Sequence, residues 1–447
     1  MVRTSDPKVL ILFETFHLNS GGGITLTNLF KNWDKASIAN STFSYALNDC
    51  FNNQICLKYY SFGSSEIKNN HFYRIFFNIG VSGEIVAKLN SFNEYNKRNK
   101  PSTFFSTIKL YIKSILNIFG FETNSFSYSL RVSPEYLAWV KEFNPDVIYA
   151  QPSSKATCLF IEELHKKTRI PIVLHIMDDW ILTYRNGLFN KLMNSQIHEI
   201  FLKLLNSSRA LFTISEGMRN AYKERYGKES MIFHNTIDID NWKSFAKKKF
   251  ELGDPIRILY AGRIGIGTYH SLLEVVKAAE ELAFEGCNLK IHIQSLNIDE
   301  RYKKKLLTSG IVKINTPVDY QKLPLIFSSY DILLIPIDFS KKGKQFLKYS
   351  MPTKVPEFMI SGTPICIYAP TDVYLHKHAI EHKWAYIIGE NSKEAIKKGL
   401  NELMSNQKLR AGLSARAYKY ALDNYDEKKI RSKFKNALMD IGSLHNS

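Results

Sequence analysis

The stretch YSMPTKVPEFMISGTPICIYAP, residues 349–370, joins a charged loop to an apolar strand. Its second half, 364–369, is continuously apolar, which predicts a buried β-strand. Its first half places Lys354 and Glu357 about one helical turn apart. The neighbouring Pro352 and Pro356 suit helix starts and turns rather than helix interiors. The stretch therefore predicts a loop–helix–strand unit in which a charged pair lies near the N-terminus of the helix.

Similar apolar runs recur along the chain and alternate with amphipathic helical segments. The runs are nearly continuous in isoleucine, leucine and valine, which is typical of strands covered on both faces, as in parallel sheets. The predicted strands are 9–13, 146–150, 171–176, 210–215, 230–234, 256–262, 289–295, 311–314, 331–337 and 364–369. The sequence therefore predicts an α/β fold built from βαβ units.

A polar, lysine-rich segment separates the first five predicted strands from the last five, and 447 residues are many for a single core. We place the first domain at 1–240, a linker at 241–254 and the second domain at 255–425. Residues 426–447 are predicted to form a C-terminal helix that packs back on the first domain. The predicted architecture is two doubly wound, Rossmann-like domains that face each other across a cleft, with the ligand at the carboxyl ends of the strands.

The chain is strongly basic, with 60 Lys and Arg residues against 42 Asp and Glu residues and a formal net charge of +18. Such a charge attracts nucleic acid, anionic lipid or phosphorylated ligands; a solvated basic surface is the alternative. The five cysteines lack metal-ligand spacing, so we expect reduced thiols and no metal. The apolar runs are too short for a signal peptide or for the roughly 20 residues of a membrane span. We expect a cytoplasmic protein whose membrane contact is peripheral.

Residues 101–121 break the α/β pattern. At helical spacing, Lys109 and Lys113 share a polar face, and the basic run NKRNK precedes the segment. The opposite face carries Phe104, Phe105, Ile108, Ile112, Ile115 and Phe119. A basic amphipathic helix with aromatic residues on its apolar face suits the surface of an anionic bilayer. A helix that packs this face on a protein core is the alternative.

Two loops that follow predicted strands of the first domain have residues suited to ligand binding. After strand 9–13, Gly22 and Gly23 belong to a glycine triplet that permits close approach and leaves the first helical amides free for an anion. A tight structural turn is the alternative, and the spacing is not a dinucleotide fingerprint. After strand 171–176 come Asp178 and Asp179, at an edge where α/β sheets bind ligands. For one of these two, a helix-capping role is the alternative.

The second domain offers a phosphate-binding arrangement at the ends of its own strands. Arg263 follows strand 256–262, where a guanidinium can bind phosphate oxygens bidentately. Lys354 is suited to phosphate, and Glu357 to accepting hydrogen bonds from vicinal hydroxyls such as those of a ribose. An exposed Lys–Glu pair of little energetic consequence is the alternative.

The Ala-Gly-Arg run at 261–263, with Lys-x-x-Glu and the following Gly-Thr-Pro at 362–364, resembles the C-terminal half of family-four glycosyltransferases of the GT-B fold. The segments HNTID (234–238) and TISEGMRNAY (213–222) and the glycine triplet also resemble that family. The resemblance covers most of the chain, but residues 40–130 show little of it. It implies a retaining glycosyltransferase of the bacterial surface-polysaccharide type.

The resemblance also implies roles for individual residues. Arg263 would bind the donor diphosphate and Glu357 the ribose hydroxyls. Gly22 and Gly23 would lie beside the diphosphate and the transferred sugar. Asp178, with Asp179 beside it, matches a His-Asp motif that lies near the acceptor in that family.

The sequence departs from the family pattern at three positions. Thr268 stands where a lysine is expected after Arg263, Tyr349 replaces the first glutamate of a pair, and Met177 replaces a histidine. Lys354, or a lysine of 341–348, is expected to replace the lost positive charge.

The leading functional prediction is sugar transfer from a nucleotide diphosphate sugar to a glycan or lipid-linked acceptor at an anionic membrane surface, without a metal or other cofactor. The alternatives are a sugar-nucleotide-binding protein without transfer activity and an epimerase of the same fold. A nucleic-acid-binding protein is a further alternative, but the sequence has no RRM, zinc-finger or helix-turn-helix signal, so no nucleic-acid partner is expected.

Overall fold

The computed structural model describes residues 6–18, 20–43, 54–69, 80–85, 128–183, 190–296 and 298–443. The chain divides into two compact units. Unit 1 comprises Met1–Thr213, Tyr222–Met231 and Lys433–Ser447, and unit 2 comprises Ile214–Ala221 and Ile232–Ser432. Each unit contains a largely parallel sheet, and the predicted α/β class with two Rossmann-like domains is confirmed.

The strands of the first part of the chain are β1 (Val9–Leu12), β2 (Ile38–Phe43), β3 (Lys58–Phe62), β4 (Ile67–Asn69), β5 (Gly83–Ile85), β6 (Tyr128–Leu130), β7 (Val147–Ala150), β8 (Ile172–Ile176), β9 (Ala210–Thr213) and β10 (Met231–Ile232). Its helices are α1 (Gly21–Phe30), α2 (Pro134–Phe143), α3 (Lys155–Thr168), α4 (Trp180–Thr183), α5 (Asn190–Ser207) and α6 (Glu216–Tyr226). The sheet order is β10-β9-β8-β7-β1-β2-β3-β5, and β4 pairs with β6 separately.

The sheet of unit 1 is parallel from β9 to β3, with β5 antiparallel to β3 at one edge. Chain order reverses between β1 and β7, so the carboxyl ends of these two strands flank the topological switch point, where sheets of this kind bind ligands. All four residues of β1 are fully buried, as their continuous apolar sequence predicts.

The strands of unit 2 are β11 (Ile256–Ala261), β12 (Leu289–Gln294), β13 (Val312–Ile314), β14 (Ile332–Pro336), β15 (Ile365–Tyr368) and β16 (Tyr386–Ile388). The helices are α7 (Ile239–Lys243), α8 (Tyr269–Phe284), α9 (Glu300–Leu306), α10 (Leu323–Ser329), α11 (Lys341–Leu347), α12 (Val355–Ile360), α13 (Tyr374–His382), α14 (Lys393–Ser405), α15 (Gln407–Asn424) and α16 (Glu427–Ser443), and the last of these runs on into unit 1. The order β13-β12-β11-β14-β15-β16 is parallel throughout, so β11 and β14 flank its switch point.

The predicted linker and the C-terminal helix do not simply follow the order of the two domains along the chain. The predicted linker, 241–254, lies inside unit 2, where Trp242 of α7 is 2% exposed and lies 5.9 Å from the ring of Phe327. An apolar anchor of this size keeps the segment packed rather than extended. The C-terminal helix α16 is assigned to unit 1 from Lys433 onward, and its Phe434 is fully buried against Phe30 and Tyr149.

Within the described part of the chain, no helix combines the length and apolar character needed to cross a membrane. Residues 101–121, with the predicted membrane contacts Lys109, Lys113, Phe104 and Phe105, lie outside the described residues.

Candidate functional site

The turn that follows β11 lies at the switch point of unit 2 and carries Arg263. Its backbone is fixed from within, because the Tyr260 hydroxyl donates to the carbonyl oxygen of Arg263 at 2.6 Å. The Thr268 hydroxyl accepts from the Gly265 amide at 3.3 Å and donates to the Arg263 carbonyl at 3.3 Å. These bonds hold the backbone while the Arg263 side chain is exposed. Thr268 therefore closes the turn at the position where the family pattern has a lysine.

Lys354 reaches back from the start of α12 to the end of β11. Its ammonium donates to the carbonyl oxygen of Ala261 and lies 4.9 Å from the centre of the Tyr260 ring. Gly262 makes this approach possible, because its φ is 141° and a methyl group there would overlap the Lys354 ammonium. Burial lowers the pKa of Lys354 to about 8; Glu357 opposes this shift and Arg263 adds to it.

Glu357 lies in the first turn of α12 and is 5% exposed. The Tyr320 hydroxyl donates to its Oε1 at 2.6 Å. Burial raises the pKa of Glu357 to about 7, against the opposing hydrogen bond from Tyr320, the charge of Lys354 and a side-chain hydrogen bond from Asn235. The Asn235 amide also donates to the Thr353 carbonyl at 2.8 Å, which fixes the loop ahead of the helix. A buried carboxyl group that titrates near neutrality is typical of binding and catalytic sites.

The end of β14 completes this edge of the sheet. Asp338 is 1% exposed, accepts from the Ser271 amide at 2.8 Å, and has a pKa raised by burial. Its own amide donates to the Gly267 carbonyl at 2.8 Å, which ties the end of β14 to the Arg263 turn. The lysine-rich helix α11 follows; Lys341 and Lys342 are exposed. Cationic side chains therefore follow both strands that flank the switch point, which suits a diphosphate.

Tyr349, at the position of the missing glutamate, contacts the start of α6 through its main chain. Its carbonyl oxygen accepts from the Ser215 hydroxyl at 2.5 Å, and that hydroxyl accepts from the Met218 amide at 3.1 Å, capping α6. The TISEG segment that resembles the family is therefore used to hold the loop ahead of Lys354. This contact uses the main-chain carbonyl of residue 349, so it does not depend on which side chain stands there.

The glycine turn of unit 1 is occupied by side chains of the protein itself. Ser20 caps α1 by accepting from the Gly23 amide at 3.1 Å. A methyl group at Gly22 would overlap Glu14 Oε2, and one at Gly23 would lie 2.6 Å from the His17 ring. Neither Glu14 nor His17 was predicted as a site residue, although both lie between strand 9–13 and the glycines. The predicted donor roles of the two glycines stay predictions.

Asp178 and Asp179 lie after β8 in contrasting environments. Asp178 is exposed, whereas Asp179 is 3% exposed and forms an ion pair with Arg225, at 2.5 Å between Nη2 and Oδ2. A second guanidinium nitrogen lies 3.3 Å from Oδ1, and the Tyr222 hydroxyl donates to the same oxygen at 3.4 Å. Burial lowers the pKa of Arg225, but hydrogen bonding and charge from Asp179 outweigh it and raise the pKa. Asp179 thus anchors the loop that presents Asp178.

No group of three or more His, Cys, Asp or Glu side chains that could hold a metal ion occurs among the described residues.

Comparison with known proteins places this fold among glycosyltransferases. Residues 99–241 match the family model described as Glycosyltransferase Family 4. No curated protein sequence matches the chain. Sucrose-phosphate synthase from Thermosynechococcus elongatus is similar in structure, with a TM-score of 0.63 at 9% identity, covering 98% of this chain and 100% of that chain.

Two further solved structures are similar over nearly the whole chain. Anabaena HepE, in complex with UDP and glucose, has a TM-score of 0.60 at 13% identity, covering 97% of this chain and 100% of that chain. A glycosyltransferase from Rickettsia africae has a TM-score of 0.61 at 12% identity, covering 98% and 100%. Identities this low establish a shared fold. The predicted GT-B fold is thereby confirmed, and the family match of residues 99–241 supports the prediction of a glycosyltransferase.

Proposed function

We propose that the protein transfers a sugar from a nucleotide diphosphate sugar to a membrane-associated acceptor, with retention of anomeric configuration. The observation that carries this proposal is the grouping at the unit 2 switch point. There, the exposed Arg263 and a buried Glu357 lie at the carboxyl edge of the sheet, and Lys354 spans the distance from α12 to β11. A guanidinium matches a diphosphate, and a carboxylate matches ribose hydroxyls.

The donor is proposed to lie with its diphosphate against Arg263 and its ribose against Glu357. Lys354 donates to a main-chain carbonyl, so its role is to hold the turn that carries Arg263. The second positive charge for the diphosphate then comes from α11, where Lys341 and Lys342 are exposed. HepE is described with UDP and glucose, so UDP sugars are the first donors to test.

The reaction is proposed to run by front-face attack. The acceptor hydroxyl oxygen forms a bond to the anomeric carbon while the bond from that carbon to the diphosphate oxygen breaks. The hydroxyl proton passes to the departing phosphate, so no covalent sugar–protein intermediate is needed. Asp178 is proposed to orient the acceptor hydroxyl, because it is the exposed member of the acidic pair; Asp179 is proposed to support it through Arg225.

The donor site predicts a specific loss on mutation. Arg263→Ala is expected to weaken nucleoside diphosphate binding by about 1.5–3 kcal/mol, because a charge-assisted bidentate contact is lost. Thermal shift with UDP, GDP, ADP and CMP checks this; a ligand at 100 times its Kd stabilises by about 2.7 kcal/mol. The matched control is Arg301→Ala, since Arg301 is 83% exposed and paired with Asp299. Equal affinity of Arg263→Ala and wild type for the best nucleotide would contradict the proposed donor site.

The acceptor is proposed to be a lipid-linked or polysaccharide glycan on the cytoplasmic face of a membrane. Residues 101–121 support this proposal through their sequence, because at helical spacing two lysines fall on the face opposite to three phenylalanines and three isoleucines. Lys109→Glu combined with Lys113→Glu is expected to lower binding to phosphatidylserine-containing vesicles at least tenfold, at about 1 kcal/mol per basic residue lost near the surface. Vesicle sedimentation measures this, with neutral vesicles as the control. Unaltered sedimentation would place the membrane contact elsewhere.

A sugar-nucleotide-binding protein without transfer activity is the second candidate, and the tyrosine at 349 is the observation that favours it. Release of nucleoside diphosphate from a nucleotide sugar distinguishes the two, because a binder without activity saturates but does not turn over.

A further inference from the structure

The carboxyl end of β1 carries a cluster of polar side chains that the donor site does not use. Glu14 Oε1 lies 3.4 Å from His17 Nε2, and the two side chains are 23% and 13% exposed. The same imidazole nitrogen lies 3.4 Å from the Ser20 hydroxyl. Gln151 follows β7, the strand on the other side of the switch point, and its Oε1 lies 3.8 Å from the position of a methyl group on Gly22. Both flanking strands therefore contribute to the cluster.

The hydrogen-bond-accepting oxygens of this cluster lie together beside Gly22. Glu14 Oε2 and Gln151 Oε1 both lie next to Gly22. The Gln151 amide nitrogen donates to the Tyr149 hydroxyl at 3.4 Å, which turns the carbonyl oxygen toward the glycine turn. A carboxylate and an amide oxygen attract O–H donors and repel phosphate oxygens. The cluster is thus matched to hydroxyl groups rather than to a diphosphate.

The backbone that carries Glu14 is held in an unfavourable conformation. Phe13 has φ of 74°, a left-handed value that a bulky side chain rarely adopts. Three hydrogen bonds hold it: the Phe13 amide to the Ser41 carbonyl, the Thr42 hydroxyl to the Phe13 carbonyl, and the Asn40 amide to the Glu14 carbonyl at 2.7 Å. Strain of this kind persists where the surroundings impose it, and it is concentrated at functional sites. Here it directs Glu14 to the glycine turn.

We propose that Glu14, His17 and Gln151 form a site for sugar hydroxyls. This inference rests on the proposed function, since it supplies the sugar-binding part of the same reaction. Glu14 accepts hydrogen bonds from the sugar, and His17 holds the carboxylate in position. Gly22 and Gly23 serve this site by leaving room for the two side chains, so the glycine turn is not the diphosphate site. The hydroxyls belong either to the transferred sugar or to the acceptor.

The test is Glu14→Gln, which keeps the shape of the side chain and replaces an acceptor oxygen with a donor. The control is Glu162→Gln, which removes another largely buried carboxylate of unit 1 that pairs with a lysine. Isothermal titration with UDP measures nucleotide binding. Steady-state release of nucleoside diphosphate, with and without acceptor lipid extract, uses the fastest donor among UDP-glucose, UDP-galactose, UDP-N-acetylglucosamine and GDP-mannose. Thermal unfolding midpoints establish that each variant is folded.

The expected result is a Kd for UDP within twofold of wild type and a kcat/KM reduced at least 30-fold. A loss already present without acceptor assigns the site to the transferred sugar, and a loss only with acceptor assigns it to the acceptor. His17→Gln is expected to show a smaller loss in the same assay. Wild-type kcat/KM in Glu14→Gln overturns the proposal. So does UDP binding tightened tenfold or more, because that places the diphosphate beside the carboxylate.

A second variant and the behaviour of the wild type distinguish failure of this inference from failure of the proposed function. If Glu14→Gln does not fold, Glu14→Asp, which withdraws the carboxylate by one methylene, is measured in its place with the same expectations. If wild type binds none of the nucleotides and releases none from the four donors, the proposed function itself fails, and the inference fails with it.

Discussion

Arg225→Ala is expected to lower the free energy of unfolding by about 3–5 kcal/mol, the largest stability change predicted for this protein. The substitution leaves the Asp179 carboxylate, whose side chain is 2% exposed, without its guanidinium. The hydroxyl of Tyr222 at 3.4 Å does not replace that charge. Urea unfolding followed by tryptophan fluorescence measures the change, and Trp180 lies next to the affected carboxylate.

The same helix provides the control. Arg219 lies in α6 and pairs with Glu216, but these side chains are 36% and 50% exposed, so Arg219→Ala is expected to cost less than about 1 kcal/mol. Replacing both members of the buried pair by leucine is expected to be less harmful than Arg225→Ala alone, because no unpaired charge remains. If Arg225→Ala unfolds at the same urea concentration as Arg219→Ala, the ion pair does not hold the Asp178 loop.

Nucleotide-sugar affinity is expected to fall about 50-fold between pH 7 and pH 5, with a slope that approaches tenfold per pH unit well below pH 7. The pKa of Glu357 is raised to about 7, so the free protein holds a neutral carboxyl group below that pH. Ribose hydroxyls are bound by the carboxylate, so binding below pH 7 must release a proton. Titration with a nucleotide sugar measures this, because its diphosphate, esterified at both ends, does not titrate in this range.

Glu357→Gln is the control for this pH dependence. It is expected to bind more weakly at pH 7 and to show a flat profile from pH 5 to pH 7. The stability of the fold has the opposite pH dependence. A folded pKa raised above the unfolded value contributes stability that is present in full below the unfolded value of about 4.5 and is lost as pH rises through 7. The same slope in wild type and Glu357→Gln would assign the titration to another group.

The strands with continuous apolar sequence could be predicted, and all ten predicted strands occur in the structure. Strand β2 was missed because it contains Asn40, Ser41 and Thr42, each at most 1% exposed. Each of these side chains forms a hydrogen bond with a distant residue: the Asn40 side-chain amide donates to the Glu14 carbonyl, the Ser41 hydroxyl accepts from the Tyr136 hydroxyl at 3.0 Å, and the Thr42 hydroxyl donates to the Phe13 carbonyl. Burial that depends on such partners leaves no pattern within the strand itself.

The positions of the candidate residues after strands could be predicted, whereas the environment of each side chain could not. Ligand crevices form at strand ends, so Arg263, Glu357 and the acidic pair were chosen as candidates from strand positions, side-chain chemistry and the family resemblance. The difference between Asp178 and Asp179 depends on Arg225, which lies 46 residues away in sequence. The raised pKa of Glu357 likewise depends on burial, with Tyr320 as a hydrogen-bond donor from another loop. Sequence spacing carries no information about these contacts.

The burial of Phe434 has a consequence for synthesis of the chain on the ribosome. This ring fills a space in unit 1 between Phe30, Tyr149 and Phe212, at 5.1–5.9 Å from each. Roughly 200 residues of unit 2 are translated between the bulk of unit 1 and this phenylalanine. At about 5–20 residues per second, the nascent first unit spends on the order of 10–40 s with those three rings incompletely covered. Chaperones that bind exposed aromatic surface therefore have a defined interval in which to engage the growing chain.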